Sequence, residues 1–126
     1  MARILVVDDS KELLEVFSMI FSLNDLEVET ASTKAGLFEK LTSFIPDVIL
    51  LDVLLGGDNG RELCSAIKNN ILNKPIKIIL VSGSPELLSD FQQCGADDIL
   101  EKPFSISTLT EKIKKLLTPA VAQNIF

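Results

Sequence analysis

The 126-residue chain contains no histidine, no tryptophan and no tyrosine. Without an imidazole it cannot build a Ser-His-Asp triad or most zinc centres, and it cannot itself be a phosphohistidine donor. Cysteine is scarce: Cys64 and Cys94 lie in segments with helical spacing and lack metal-ligand spacing, so they read as small buried residues compatible with a reducing cytosol. Proline and glycine are few and no tract is of low complexity, which excludes a disordered chain. The 12 Lys and Arg residues form no cluster and are outnumbered by 18 Asp and Glu, giving a net charge of −6. That balance argues against a direct grip on a nucleic-acid backbone. Long apolar runs are missing too. Asp52 interrupts the most apolar stretch well short of the ~20 residues a membrane span needs, and Met1-Ala2-Arg3 leads straight into a strand-like run with no room for a signal peptide. A cytoplasmic location without membrane contact is expected, with chemistry confined to carboxylates, hydroxyls and lysine.

What is present is an apolar fraction of 47%, enough for one domain with an ordinary core. Ile4 to Val7, Val48 to Leu51 and Ile78 to Val81 are short, nearly unbroken and rich in Val and Ile, as strands buried on both faces of a parallel sheet are. Leu26, Val28 and Thr30 alternate with Glu27 and Glu29 and suit a sheet edge, and Ile99-Leu100 forms a short fifth strand. Helical spacing fills the gaps: Leu13, Phe17, Ile20 and Phe21; Ala35, Phe38 and Leu41; Leu63, Ala66 and Ile67; Leu87, Leu88 and Phe91; Leu109, Ile113, Leu116 and Leu117. Ser84 is placed to cap the fourth helix with Pro85 at its first position, Gly95 to close it, and Pro119 to follow the fifth.

Five βα repeats predict an α/β doubly wound parallel sheet with helices on both faces, and the flavodoxin-like order 2-1-3-4-5 leads. The domain is expected over 1–118, with 119–126 as a tail or the start of a linker. In such sheets ligands bind beyond the carboxyl ends of the strands, at the switch point between strands one and three. Asp8 and Asp9 end the first strand and Asp52 the third, so all three converge there. Taken alone, an aspartate at such a place is a turn or cap residue. Two bare carboxylates about 4 Å apart repel by roughly 4 kcal/mol at an effective dielectric of about 20, so three at adjacent strand ends call for a cation. Magnesium, which takes oxygen ligands and keeps several waters, is the natural candidate, with Asp9 and Asp52 as direct ligands and Asp8 acting through water. Ser82 closes the fourth strand and Lys102 follows the fifth; a hydroxyl and an ammonium both bind phosphoryl oxygens.

Val6-Val7-Asp8-Asp9, Leu50-Leu51-Asp52, Val81-Ser82-Gly83, Gly95-Ala96-Asp97-Asp98 and Lys102-Pro103-Phe104 together resemble, in order, the motifs of response-regulator receiver domains of two-component signal transduction. The resemblance spans roughly residues 3 to 117. It implies an aspartyl phosphate formed on Asp52 from the phosphohistidine of a sensor histidine kinase or phosphotransfer protein. It also implies magnesium held by Asp8, Asp9, Asp52 and the backbone carbonyl of Leu54, and phosphoryl oxygens met by Ser82 and Lys102. A cis Lys102-Pro103 bond, an unnamed downstream protein target and a homodimer through the face of helix four, strand five and helix five are further implications. Such a domain catalyses its own phosphorylation and dephosphorylation rather than turning over a substrate.

Three departures from the pattern stand out. Gly56 replaces a proline common in relatives, which predicts a mobile loop. Leu54 and Ser84 occupy positions whose side chains border the route of water to the phosphoryl group, and Leu54 cannot orient a water. Ile99 stands where relatives commonly have Tyr or Phe. Among rival readings, a haloacid-dehalogenase-type phosphatase needs a second Asp at the position of Leu54. A flavin carrier needs a phosphate loop where Asp8-Asp9-Ser10 stands. A degenerate receiver, acting as an interaction module without phosphorylation, is the remaining alternative.

Overall fold

The apolar runs become the sheet of a computed structural model that describes residues 2–117. Its strands are β1 (Arg3–Val7), β2 (Glu27–Ala31), β3 (Val48–Asp52), β4 (Lys77–Ser82) and β5 (Asp98–Glu101). All neighbouring pairs are parallel, and the order is β2-β1-β3-β4-β5 as expected. The helices are α1 (Lys11–Leu23), α2 (Lys34–Lys40), α3 (Gly60–Asn69), α4 (Pro85–Leu88) and α5 (Ile106–Leu116). The tail at 119–126, with Thr118 and the stop signal of Pro119, lies outside the described residues.

Alternation along the strands splits the core in two. Leu5, Val7, Ile49, Leu51, Ile78 and Leu80 face Leu37, Leu63, Cys64, Ile67 and Leu88 on one side of the sheet. Ile4, Val6, Val48, Leu50, Ile79 and Val81 face Leu14, Phe17, Phe21, Leu109 and Ile113 on the other. β3 is buried along its whole length, whereas β2 is mostly half-exposed, in keeping with its edge position. Four helices begin on a side-chain cap that accepts an otherwise unpaired backbone N–H: Ser10 from Leu13 at 3.2 Å, Thr33 from Gly36 at 3.0 Å, Asn59 from Arg61 at 2.8 Å and Ser105 from Thr108 at 3.1 Å.

Two segments differ from the sequence expectation. The loop after β3 is a small hairpin in which Leu54–Leu55 pairs antiparallel with Asp58–Asn59, turned by Gly56 in the left-handed region at φ 59°. The glycine therefore supplies a backbone conformation rather than an open, unpaired loop. The fourth helix, expected to run through Phe91, stops after Leu88. Ser89 is extended, Asp90 is left-handed at φ 50°, and the chain resumes as a 3₁₀ turn over Phe91–Cys94, closed by Gly95 at φ 88°. The break is held by Arg61, whose guanidinium donates to the carbonyls of Leu87, Ser89 and Asp90. Ser84 sits at the N-cap position before Pro85, but its hydroxyl makes no capping bond.

Candidate phosphoacceptor and metal site

Strand register builds the site one residue at a time. Val7 is level with Leu51, so Asp8 and Asp52, one step further on, emerge side by side at the switch point. Ser82 is level with Glu101, so Lys102 follows at the next step, and its N–H donates to the Ser82 carbonyl at 2.8 Å. The peptide bond after it, Lys102-Pro103, is cis.

Asp8 and Asp52 are buried and Asp9 is exposed, and one carboxylate oxygen from each lies within 4.8 Å of the others. The Lys102 Nζ is 3.1 Å from Asp8 Oδ2 and 3.5 Å from Asp52 Oδ2, so the ammonium already offsets part of the clustered charge. Backbone amides orient the carboxylates: Ser10 N–H donates to Asp8 Oδ1 at 2.9 Å, Leu54 N–H to Asp52 Oδ1 at 3.1 Å, and Gly56 N–H to Asp9 Oδ2 at 3.1 Å. The last of these bonds would be lost with proline at 56, which has no N–H.

Burial, and then the charge of Asp8, push the Asp52 carboxyl above its usual range, against the pull of the Leu54 amide and Lys102. For Lys102 burial is the largest single influence and pulls downward. The Asp8 hydrogen bond and the charges of Asp52 and Asp8 together outweigh it, so the ammonium is held more firmly than usual. Both shifts describe a carboxylate cluster short of positive charge. Three hard oxygen donors converging beside a single ammonium suit a divalent cation such as magnesium, which binds through one or two carboxylates and retains water.

The structure thus brings together Asp8, Asp9, Asp52 and Lys102. Ser82 is buried at the end of the next strand, with its Oγ accepting from Ser84 N–H at 3.1 Å. Leu54 lies in the hairpin two residues past Asp52 and is 60% exposed. Two residues escaped the sequence reading. Gly60 packs so tightly that a Cβ there would overlap the Asp52 carbonyl and lie 2.8 Å from Val53 Cα. Its signal was the glycine just after the cap Asn59. Arg61 has no signal in the sequence, because its role depends on carbonyls 26 to 29 residues away. Cys64 and Cys94 are both free and buried, and burial, with Cys94 alongside, pushes the Cys64 thiol up.

Fold and site together define a doubly wound α/β domain with a cation-ready acidic cluster at its switch point. The chain belongs to the response regulator receiver domain family, whose model matches residues 4–114. Among curated proteins it is 32% identical to the response regulator MprA of Mycobacterium ulcerans over 115 residues. That match covers 91% of this chain and 50% of the relative, so the chain spans about half the length of the curated relatives it matches. Among solved structures it resembles the chemotaxis protein CheY4 of Vibrio cholerae, with a TM-score of 0.85 and 30% identity over 93% of this chain and 99% of that one. It also resembles a CheY-like receiver domain protein of Methanospirillum hungatei, with a TM-score of 0.83 and 34% identity over 92% and 94% of the two chains. Among the described residues no helix is long and apolar enough to cross a membrane.

Proposed function

We propose that this receiver domain is phosphorylated on Asp52 by the phosphohistidine of a sensor histidine kinase or phosphotransfer protein, and that the modified form signals to a downstream protein. The observation that carries this reading is the meeting of three carboxylates within 4.8 Å, beside a lysine 3.1 Å from one and 3.5 Å from the phosphoacceptor. An Asp52 oxygen attacks phosphorus, the P–N bond to the donor imidazole breaks, and the leaving nitrogen keeps the bond pair and takes up a proton. Lys102 stays charged beside the acceptor and meets a phosphoryl oxygen as the group arrives. Asp8, Asp9, Asp52 and the Leu54 carbonyl would hold Mg2+. When bound, Mg2+ supplies positive charge against that developing on the transferred oxygens.

Apolar Leu13, Val16, Ile20, Pro103, Phe104 and Ile106 line a groove that also reaches Lys102, the surface a protein donor would cover as it presents its phosphohistidine. The phosphorylated residue carries about two negative charges where Asp52 carried one, which draws the Ser82 hydroxyl away from Ser84 and moves the loop after β4. The face of α4, β5 and α5 then changes toward its partner, a downstream target or a second copy. The phosphohistidine donor and the two free thiols fit a cytoplasmic site of action.

Incubation with acetyl phosphate and Mg2+, read by intact mass, tests the reading. A gain of one phosphoryl group is expected for the wild type and none for Asp52→Asn. No gain in the wild type would point to a phosphorylation-independent interaction module instead.

A further inference from the structure

The sequence from Pro85 to Cys94 carries what one continuous helix needs, yet the chain breaks in the middle. Leu87, Leu88, Phe91 and Cys94 recur at helical spacing, Pro85 stands at the first position, and Gly95 waits in the left-handed conformation behind. The break puts Asp90 at φ 50°, a region unfavourable to a residue with a Cβ. It is stabilised from outside by Arg61, whose Nη1 donates to Leu87 O at 2.9 Å and Ser89 O at 2.6 Å, and whose Nη2 donates to Asp90 O at 3.0 Å. In a continuous helix those three carbonyls would accept from Phe91, Gln93 and Cys94 N–H and point along the axis. They could not converge on one guanidinium, so the clamp and the helix exclude each other.

Arg61 is itself tied to the phosphoacceptor. Its N–H is held by Asn59, and Gly60 before it is packed against the Asp52 backbone with its N–H bonded to Val53 O at 2.7 Å. At the other end of the segment, Ser82 Oγ holds Ser84 N–H, and the Ser84 hydroxyl caps nothing. We propose that residues 85–94 form a two-state element, either broken and clamped by Arg61 or a single helix, and that phosphorylation shifts it toward the helix. The second clause rests on the function proposed above. A Ser82 hydroxyl drawn to the phosphoryl group releases the Ser84 N–H, so that Ser84 can turn its unused hydroxyl onto the first turn as a cap and favour the longer helix.

The test uses 13Cα shifts and amide exchange of residues 87–94 in the whole chain. Arg61→Gln is expected to move Ser89 and Asp90 toward helical shifts and to slow exchange at Phe91 and Gln93. Asp90→Ala, which makes the left-handed backbone less favourable, moves the population the same way by roughly fivefold, and Asp90→Gly the opposite way. Non-helical shifts in both Arg61→Gln and Asp90→Ala would overturn the two-state element. Dispersed β1 and β3 resonances report that a variant is folded, and the Asp90 pair decides alone if Arg61→Gln is not. Beryllofluoride with Mg2+ is expected to move wild-type Ser89 and Asp90 toward helix. No movement there, in protein that does gain mass from acetyl phosphate, overturns the coupling and leaves the proposed function standing. No mass gain overturns that function itself.

Discussion

Asp52 is held in a state that opposes its own charge. Burial and Asp8 raise its pKa despite Lys102 and the Leu54 amide, so without a cation the fold disfavours the carboxylate more than the unfolded chain does. A folded-state pKa above the unfolded value stabilises the fold only while the group is protonated, and that advantage disappears as pH rises through the folded pKa. Asp52→Asn is therefore expected to stabilise the chelated protein against urea at neutral pH. The gain shrinks to nothing below about pH 3.9, the ordinary carboxylate value, where Asp52 is protonated both folded and unfolded. A gain that persists unchanged at low pH would contradict the electrostatic cause. In the proposed cycle, Leu54 would act on the loss of the phosphoryl group. It is exposed two residues past Asp52, and its side chain has no group to orient an attacking water. Leu54→Asn is expected to shorten the lifetime of the labelled protein, and an unchanged or longer decay time would remove Leu54 as its control.

In the proposed function, the loop from β4 to α4 carries the change from the site to the surface. Strand β5 offers little: Ile99 is β-branched, restricted at χ1, and packs partly buried against the core on the α3 and α4 side of the sheet. It cannot sweep the arc of a ring or hide and expose a hydroxyl, so an aromatic switch at this position is absent from the chain. Amide shift changes on adding beryllofluoride are expected over Ser82 to Glu86. Large changes confined to Ile99 and its strand, with that loop unmoved, would overturn this route. The opposite end of the sheet is pinned. Lys68 of α3 is 2.9 Å from Asp97, just before β5, and also donates to the Ile76 carbonyl; Asp97 accepts from Ile78 N–H as well. This mostly buried pair ties α3 to the start of β4 and β5.

At the scale of the whole molecule, the acidic cluster links ligand binding to stability. A cation that binds only the folded chain stabilises it by RT ln(1 + [L]/Kd), about 2.7 kcal/mol at a hundredfold excess over Kd. Magnesium is therefore expected to raise the urea midpoint of the wild type, and to raise it much less in Asp9→Asn, whose exposed side chain can be replaced without opening the core. Equal midpoint shifts in both proteins would remove Asp9 from the ligand set. The curated relatives are about twice as long as the matched region, so in them a receiver of this kind is one part of a longer chain. In the proposed function, the α4, β5 and α5 face is the surface from which this domain would pass its state on.

The sequence alone determined the strands and the residues that end them, and it favoured the strand order that the fold adopts. Buried parallel strands announce themselves as unbroken Val- and Ile-rich runs, and the residue that ends each run is set by the chain itself, so Asp8, Asp52, Ser82 and Lys102 could be read as strand ends before any geometry. The tertiary structure decided what depends on groups distant in the chain. Gly60 is required by the backbone of Asp52, Gly56 by a left-handed turn that also binds Asp9, and the fourth helix was shortened against its own periodicity by Arg61. The apolar spacing favours a continuous helix there, only weakly opposed by Ser89 and Asp90, whereas three charge-assisted hydrogen bonds from another helix act together on one turn. No window of sequence contains both partners, so the break belongs to the fold.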